Sequence, residues 1–403
     1  MSETRRALPR PTPSPPGLDG LLLGAILLLT ALGAVMVYSA SAVTAEARLH
    51  DQFYFLERQL VAGAIGLALL TALVRLGYRR LEPLSYPILI GTLLAMVLVL
   101  VPGIGRTAGG ARRWLDLGPV SFQPAEAAKV ALVLYLARSL ARKREKVRLF
   151  SVGFLPHLLV GGLMMALSLA QRDLGTAVVL AILLFTLLFA AGARVGYLLG
   201  AVLVALPIGW RLVAGTPYRW QRILAYLDPW RHREGIGFQI VESLIGIGNG
   251  GWFGQGLGQG KGKLFYLPAA HTDFIAAVIA EEAGLLGMAL LLVLYAVVVW
   301  RGFRATYGAA DAFGCYTALG LTTLVGAQAL VNLSVVLGLL PTKGLTLPLV
   351  SYGGSSLVTL LAASGILLSV SAGRGGFLHR AAQAVRTGSP SGVGPGSRAG
   401  VAL

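Results

Sequence analysis

Charged residues are scarce in this chain. Asp, Glu, Lys and Arg make up only 13% of its 403 residues, whereas 56% are hydrophobic, and the mean hydropathy is +0.74. A soluble domain of this length carries many more charged side chains on its surface. Several apolar stretches reach the roughly 20 residues that cross a bilayer as a helix. The composition therefore excludes a soluble globular protein and predicts an all-α integral membrane protein.

Cysteine is nearly absent. The single cysteine, Cys315, lies within an apolar run. One chain can therefore build neither a disulfide framework nor a cysteine-based metal site.

Acidic residues are also few, with 17 against 34 basic residues and a net charge of +17. Such an excess could indicate nucleic-acid binding, but in a membrane protein the placement of Lys and Arg reports orientation. Most of them fall in the N-terminal leader, the C-terminal tail and every second connecting loop. This bias predicts a multi-pass protein of the cytoplasmic (inner) membrane, with both termini cytoplasmic and no nucleic-acid partner.

Hydropathy predicts about ten transmembrane helices. They lie near residues 18–42, 59–74, 84–102, 124–140, 152–170, 174–193, 195–211, 274–300, 312–340 and 348–372. Ser39-Ala40-Ser41-Ala42 is similar to a signal-peptidase site, but the apolar run before it is longer than a signal sequence needs, so we predict that the run is kept as a span. Residues 1–17 and 373–403 are predicted to be disordered cytoplasmic ends of a membrane domain over 18–372.

A long extracytoplasmic segment, about 212–273, separates predicted spans seven and eight. Its basic and aromatic stretch Arg219–Trp230 is typical of a membrane interface. The Gly-rich run Gly246–Lys263 cannot be helical throughout and predicts turns, and it lacks the context of a Rossmann motif or a P-loop. Its backbone amides, with Lys261 and Lys263, could hold a pyrophosphate. An interfacial helix and a glycine hinge, both without a ligand, are the alternatives.

Ionisable residues inside a span cost roughly 2.5 to 3.5 kcal/mol each on insertion scales, so they usually face a cavity. Glu126 and Lys129 are spaced to share one helix face, and the alternative to a functional role is a structural ion pair. Asp173 falls at the mouth of a tight hairpin, where it could instead cap a helix.

Asp273 lies at the outer boundary of a predicted span, with Glu281 and Glu282 two turns deeper. Its carboxylate lies on the predicted outer side of the membrane, where it could act as a catalytic base. Capping the following helix is the structural alternative, and the sequence leaves both open.

Six motifs occur in a fixed order along the chain. They are GARRWLDLG (Gly110–Gly118), FQPAEAAK (Phe122–Lys129), RDLGTA (Arg172–Ala177), GFQIVESL (Gly237–Leu244), HTDFIAAVIAEE (His271–Glu282) and LLPTKGLTLPLVSYGGSSL (Leu339–Leu357). Through them, residues 18–372 resemble the SEDS family of peptidoglycan glycosyltransferases. The Thr342-Lys343-Gly344 variant of the last motif is similar to the cell-division branch of that family.

The resemblance implies polymerisation of lipid II, carried on undecaprenyl pyrophosphate, into β-linked glycan strands. It also implies a partnership with an FtsI-like class B penicillin-binding protein and other division proteins. The family's catalytic aspartate falls on Asp273, and its buried Glu and Lys fall on Glu126 and Lys129. Ala269-Ala270 and Arg172-Asp173-Leu174 depart from the usual neighbours without changing an acidic position.

The implied reaction needs a base, which is predicted to be Asp273, and positive charge opposite the pyrophosphate. A divalent cation, Mg²⁺ or Mn²⁺, could assist. The candidate substrate-binding residues are Glu126, Lys129, Arg112, Arg113, Asp173, Arg219, Lys261, Lys263 and Ser355.

Two other classes of function remain open. A lipid II flippase or transporter would also carry charged residues within the membrane, but it must expose its site to both sides, whereas the informative residues here cluster on the predicted outer side. A noncatalytic scaffold for a penicillin-binding protein would not need Asp273.

Overall fold

The computed structural model describes residues 17–108, 111–116, 121–215, 217–235, 237–260, 270–342 and 344–373. Of the predicted disordered ends, 1–17 and 373–403, residues 1–16 and 374–403 lie outside the described ranges, as do Lys261, Lys263 and Lys343.

Helices dominate the described chain. They are α1 (Gly20–Leu49), α2 (Tyr54–Leu76), α3 (Leu81–Leu100), α4 (Pro124–Lys143), α5 (Leu155–Ala170), α6 (Leu174–Ala190), α7 (Val195–Ala214), α8 (Pro217–Leu227), α9 (Phe238–Gly250), α10 (Ile275–Gly308), α11 (Ala312–Val336) and α12 (Gly354–Ala372). Seven described helices are long and apolar enough to cross a membrane, and Leu174–Ala190 (α6) and Val195–Arg211 (within α7) are shorter apolar segments. The all-α membrane fold is therefore confirmed. The exact number of crossings stays a prediction.

Each predicted span coincides with a helix, but several boundaries were wrong. The first span was predicted to end at residue 42, whereas α1 continues to Leu49 and ends at His50 in a left-handed conformation (φ 55°). The last was predicted to begin at residue 348, yet residues 344–353 form a loop and α12 begins at Gly354. That loop is apolar because it is buried, and hydropathy alone cannot distinguish a buried loop from a helix.

A small antiparallel sheet lies between α3 and α4 and was not predicted. Its strands are β1 (Gly105–Ala108), β2 (Ala111–Asp116) and β3 (Ser121–Phe122), in the order β1-β2-β3. Gly105 pairs with Leu115, and Leu115 pairs with Phe122. The GARRWLDLG motif therefore contributes its arginines from a strand.

Close helix packing relies on small residues at a few positions. Helices α2 and α12 pack along one another, with Gly365 against the backbone of Leu70. A β-carbon at Gly365 would lie 2.6 Å from the Leu70 carbonyl oxygen. Helix α11 packs against α4, α6, α10 and α12, and its polar residues are consequently removed from lipid.

Helix α10 is broken at Gly284, where the backbone is left-handed and extended (φ 63°, ψ −160°). The Gly-rich run packs into this break. Gln255 N–H donates to the Glu281 carbonyl and Gly256 N–H to the Glu282 carbonyl, each at 3.0 Å. These bonds replace helical ones that the break removes, as burial in a membrane protein requires. The predicted turns are confirmed for residues 251–260, whereas Gly246–Gly250 complete α9.

Candidate active site

The carboxylate of Asp273 sits on a short turn, Ala270–Phe274, that leads into α10. We call this turn the aspartate loop. The N-cap position of α10 is Phe274, and no side chain caps the helix. Asp273 therefore does not cap α10, and the structural alternative for this residue is wrong.

Three hydrogen bonds hold the backbone of the aspartate loop. Ser351 Oγ donates to the Thr272 carbonyl (2.5 Å), Tyr352 N–H donates to the His271 carbonyl (2.9 Å), and the Asn332 amide donates to the Asp273 carbonyl (2.9 Å). Ser351 and Tyr352 belong to the loop Gly344–Gly353, which we call the signature loop. The residues that carry the family resemblance therefore fix the position of Asp273.

The signature loop is itself anchored on two helices. Tyr295 of α10 donates to the Pro348 carbonyl (2.5 Å), and Gln59 of α2 donates to the Ser351 carbonyl (3.3 Å). Within the loop, Ser351 Oγ accepts from Leu347 N–H (2.8 Å). A buried loop without regular structure needs such bonds to satisfy its backbone.

Aromatic packing immobilises the other end of the aspartate loop. The His271 ring lies 4.6 Å from the Phe55 ring and 5.6 Å from the Tyr352 ring, measured between centroids. Burial lowers the pKa of His271 to about 4. His271 is therefore neutral at pH 7 and adds no positive charge beside Asp273.

Asp273 lines a cavity of about 80 Å³. Its other lining residues include Arg222, Gln239, Asn332, Thr342 and Gly344. The Arg222 guanidinium, from α8, donates to the Thr342 carbonyl at 3.0 Å. Arg222 was missed by the sequence analysis, which named Arg219 from the same helix. Arg219 lies in α8, but its side chain is outside the described part of the chain.

The charge balance around Asp273 makes it a stronger base than a free carboxylate. Burial raises the pKa of Asp273 to about 6, and Asp173 contributes in the same direction, while Arg222 and Arg113 oppose the rise. A carboxyl group with this pKa is ionised at neutral pH and still has appreciable affinity for a proton.

Of the two arginines on β2, Arg113 is turned toward the site. Its Nε donates to the Gln171 carbonyl (3.2 Å), and its guanidinium also donates to the Arg172 carbonyl. Its charge acts on Asp273. Arg112, the preceding residue, is exposed. The structure therefore brings Arg113, and not Arg112, toward Asp273.

Asp173 has the geometry of a helix cap. Its carboxylate accepts from the backbone N–H and the hydroxyl of Thr176, both at 2.9 Å, at the start of α6. Gln123 Nε2 approaches the same carboxylate at 3.4 Å. The negative charge of Asp173 acts on Asp273. The hydrogen bonds of Asp173, however, are those of a helix cap, which was the structural alternative for this residue.

Glu126 and Lys129 form a buried ion pair on α4, with Lys129 Nζ 2.8 Å from the carboxylate. Lys129 is 1% exposed and also donates to Gln328 Oε1 at 3.0 Å. Ser355 Oγ accepts from Gln123 N–H and donates to the Ser121 carbonyl, both at 3.0 Å. These three residues contact protein groups, and their roles toward a substrate stay predictions.

Among the described residues, no group of three or more His, Cys, Asp and Glu could hold a metal ion. The described cavity offers a cation one carboxylate, Asp273, and sets the positive charge of Arg222 beside it.

The fold and site define a polytopic α-helical membrane protein with a partly buried carboxylate and an arginine in one cavity at an end of its bundle. Residues 20–375 match the family of cell cycle proteins that includes FtsW, RodA and SpoVE, and the chain belongs to this family.

Its relatives include the probable peptidoglycan glycosyltransferase FtsW of Geobacter metallireducens, 48% identical over 88% of this chain and 94% of that protein. Stage V sporulation protein E of Bacillus subtilis is 41% identical over 88% of this chain and 96% of its own length.

Two solved structures share the fold. A chain of a peptidoglycan synthase complex that coordinates polymerization and crosslinking is 36% identical, with a TM-score of 0.73 over 88% of this chain and 98% of that one. The rod shape determining protein RodA of Thermus thermophilus is 34% identical, with a TM-score of 0.65 over 89% of this chain and 98% of that one.

Proposed function

We propose that this chain is a peptidoglycan glycosyltransferase that polymerises lipid II into β-1,4-linked glycan strands at the outer face of the inner membrane. The observation that carries the proposal is that the Asp273 carboxylate lines one cavity with Arg222, on a turn whose backbone is held by the signature loop. Several relatives are named as glycosyltransferases of this kind.

In the proposed reaction, Asp273 accepts the proton of the acceptor sugar's 4-hydroxyl. The oxygen then forms a bond to the anomeric carbon of the donor, while the bond from that carbon to undecaprenyl pyrophosphate breaks and the leaving oxygen keeps the electron pair. Displacement from the opposite face converts the α-linked donor into a β-linked strand. General-base catalysis of this type contributes about 10² to 10⁴ in rate.

Positive charge near the cavity stabilises the departing pyrophosphate. Arg222 lines the cavity, and Arg113 is close enough for its charge to act on Asp273. Fixed cations in a site shielded from water stabilise developing negative charge better than solvent does. Lys261, Lys263 and Arg219 are further candidates on the segment that leads to the site.

Partner, orientation and cellular role are parts of the same proposal. One structural relative is a chain of a peptidoglycan synthase complex, which supports a class B penicillin-binding protein as the partner. The positive charge of alternate loops supports a cytoplasmic position for both termini, residues 1–17 and 373–403. Relatives named FtsW and the Thr342-Lys343-Gly344 sequence favour septal synthesis in cell division.

The test is reconstitution of the purified chain with its cognate class B penicillin-binding protein and lipid II, followed by electrophoresis of the glycan products. Strands are expected with the complex and absent with the partner alone. A flippase would move lipid II across the proteoliposome membrane and make no strands. A noncatalytic scaffold would give as much product with Asp273→Ala as with the native chain.

A further inference from the structure

Two buried amides lie one turn apart on α11. Gln328 is 0% exposed and Asn332 is 1% exposed. Residues at this spacing share a helix face. Burying an amide side chain costs free energy unless its hydrogen bonds are made. The hydrogen-bond partners of Gln328 and Asn332 therefore indicate what the two amides do.

Gln328 joins the ion pair on α4 to the signature loop. Its Oε1 accepts from Lys129 Nζ at 3.0 Å, and its Nε2 donates to the Thr346 carbonyl at 3.0 Å. The Thr346 hydroxyl in turn lies 3.2 Å from the Ser356 hydroxyl on α12. One side chain therefore connects α4, α11 and the loop that holds Asp273.

Asn332 joins the signature loop directly to the aspartate loop. Its Nδ2 donates to the Leu345 carbonyl at 2.6 Å and to the Asp273 carbonyl at 2.9 Å. Two carbonyl oxygens can be satisfied only by the NH₂ end of the amide, which fixes its orientation. The Asn332 carbonyl oxygen has no hydrogen-bond partner among the described residues, so the amide is held by its donor end.

We propose that Gln328 and Asn332 are positioning residues for Asp273, and that the Glu126–Lys129 ion pair acts through Gln328 on the signature loop. The chain of contacts runs from Lys129 to Gln328, Thr346 and Leu345, and then through Asn332 to Asp273. The inference rests on the proposed function. It assigns Lys129 to the support of the base and removes it from the groups that contact the pyrophosphate.

The kinetic constants kcat and KM distinguish a residue that positions the base from one that binds substrate. A base displaced by about 1 Å can lose on the order of 10²-fold in rate, whereas a lost pyrophosphate contact weakens binding as well. Gln328→Met and Lys129→Met are therefore expected to lower kcat by about 10- to 100-fold with KM within about threefold of native. Asn332→Leu, which removes both donors at similar volume, is expected to do the same.

A double variant tests whether Lys129 works through Gln328. If both belong to one chain of contacts, Lys129→Met in the Gln328→Met background adds less than about threefold to the loss, because the first change has already broken the link. Thr322→Val on the same helix is the matched control. Among the residues that the structure describes, the Thr322 hydroxyl bonds within α11, to the Ala318 carbonyl at 2.7 Å, and native activity is expected.

The experiment measures kcat and KM for lipid II in the reconstituted complex, together with amide hydrogen exchange of residues 270–275 and 344–347 in the full chain. Faster exchange in both segments for Asn332→Leu and Gln328→Met, but not for Thr322→Val, is expected.

Unchanged exchange in these segments overturns the inference even if no variant, native included, makes polymer. That last result would count separately against the proposed function. A raised KM in Lys129→Met alone, or losses that multiply in the double variant, would return Lys129 to the substrate and also overturn the inference.

Discussion

Gly344 lies directly against the Asp273 carboxylate. A β-carbon at position 344 would stand 3.5 Å from Asp273 Oδ2, and the residue has a left-handed backbone (φ 66°). Within the Thr342-Lys343-Gly344 sequence, Gly344 therefore leaves room beside the Asp273 carboxylate and permits the backbone to turn into the signature loop.

Gly344→Ala is predicted to abolish most of the polymerisation activity, although it lowers the melting temperature no more than a matched glycine substitution away from the site. An L side chain in the left-handed region costs about 1 to 2 kcal/mol, and the added methyl group narrows the space beside Asp273. Gly338→Ala is the matched control, since Gly338 has nearly the same φ (69°) but its β-carbon would face Ile240. Similar melting temperatures with activity lost only in Gly344→Ala are expected; equal losses of activity would contradict this account.

The activity of the native protein is predicted to rise with pH through about 6, because Asp273 must be ionised to accept a proton. Arg222→Gln removes a positive charge that lowers the pKa of Asp273, so the rise should move to higher pH. The rate at the optimum should also fall by on the order of 10- to 100-fold.

Arg231→Gln removes the same charge from an exposed residue on the neighbouring turn, which does not line the cavity, and is expected to leave the profile in place. Rates of lipid II polymerisation from pH 5 to about 8 give the comparison. If the pH profile of Arg222→Gln is identical to that of the native protein, Arg222 does not influence the ionisation of Asp273.

Asp273→Asn is predicted to stabilise the protein at neutral pH. A carboxyl group whose pKa is raised to about 6 by folding binds a proton more tightly in the native state, so stability falls as pH rises from the unfolded pKa, near 4, to about 6. The neutral amide avoids that cost, on the order of 1 to 2 kcal/mol after allowance for partial exposure.

Thermal unfolding at pH 7.5 and at about pH 4 measures the effect. The variant should gain stability over native at the higher pH and lose this advantage at the lower one. A destabilised Asp273→Asn protein at pH 7.5 would show that the carboxylate is a net contributor to the fold.

Gly284→Ala is predicted to destabilise the bundle by at least about 3 kcal/mol, through left-handed strain and collision with the packed Gly-rich run. A β-carbon there would lie 2.3 Å from the Gly254 backbone nitrogen. Gly91→Ala provides the contrast, because Gly91 lies within α3 with open space around it, and its melting temperature should match or exceed native. Comparable melting temperatures for the two variants would contradict the break seen in α10.

Hydropathy predicted the helices because lipid demands long apolar segments, but it could not predict where several of them end. Residues 348–353 were assigned to a span, since Leu349 and Val350 are as apolar as a helix requires. They form a loop because Ser351 and Tyr352 bind the aspartate loop and Tyr295 binds Pro348. Those are tertiary contacts, which a local pattern does not contain.

The sequence predicted Asp273 as the base, which stays a prediction, but it did not indicate most of the residues that hold the turn around Asp273. Asp273 and Lys129 could be singled out in the sequence because they are charged residues in or beside apolar spans. Gln328 and Asn332 are neutral and were not predicted. Both lie in the apolar run of α11, where a buried amide carries the same signal as a buried charge. Arg222 could not be distinguished from the other arginines of its stretch by sequence, because what sets it apart is its tertiary contact with the Thr342 carbonyl.

The most direct test of the central claim is the initial rate of lipid II polymerisation by the reconstituted complex carrying Asp273→Asn. Asp116→Asn, the same change at an exposed residue whose ion pair with Arg106 spans 3.7 Å, is the control. The account predicts a loss of at least about 10²-fold for Asp273→Asn, with a normal rate for Asp116→Asn. Equal rates for the two variants would contradict the assignment of Asp273 as the base.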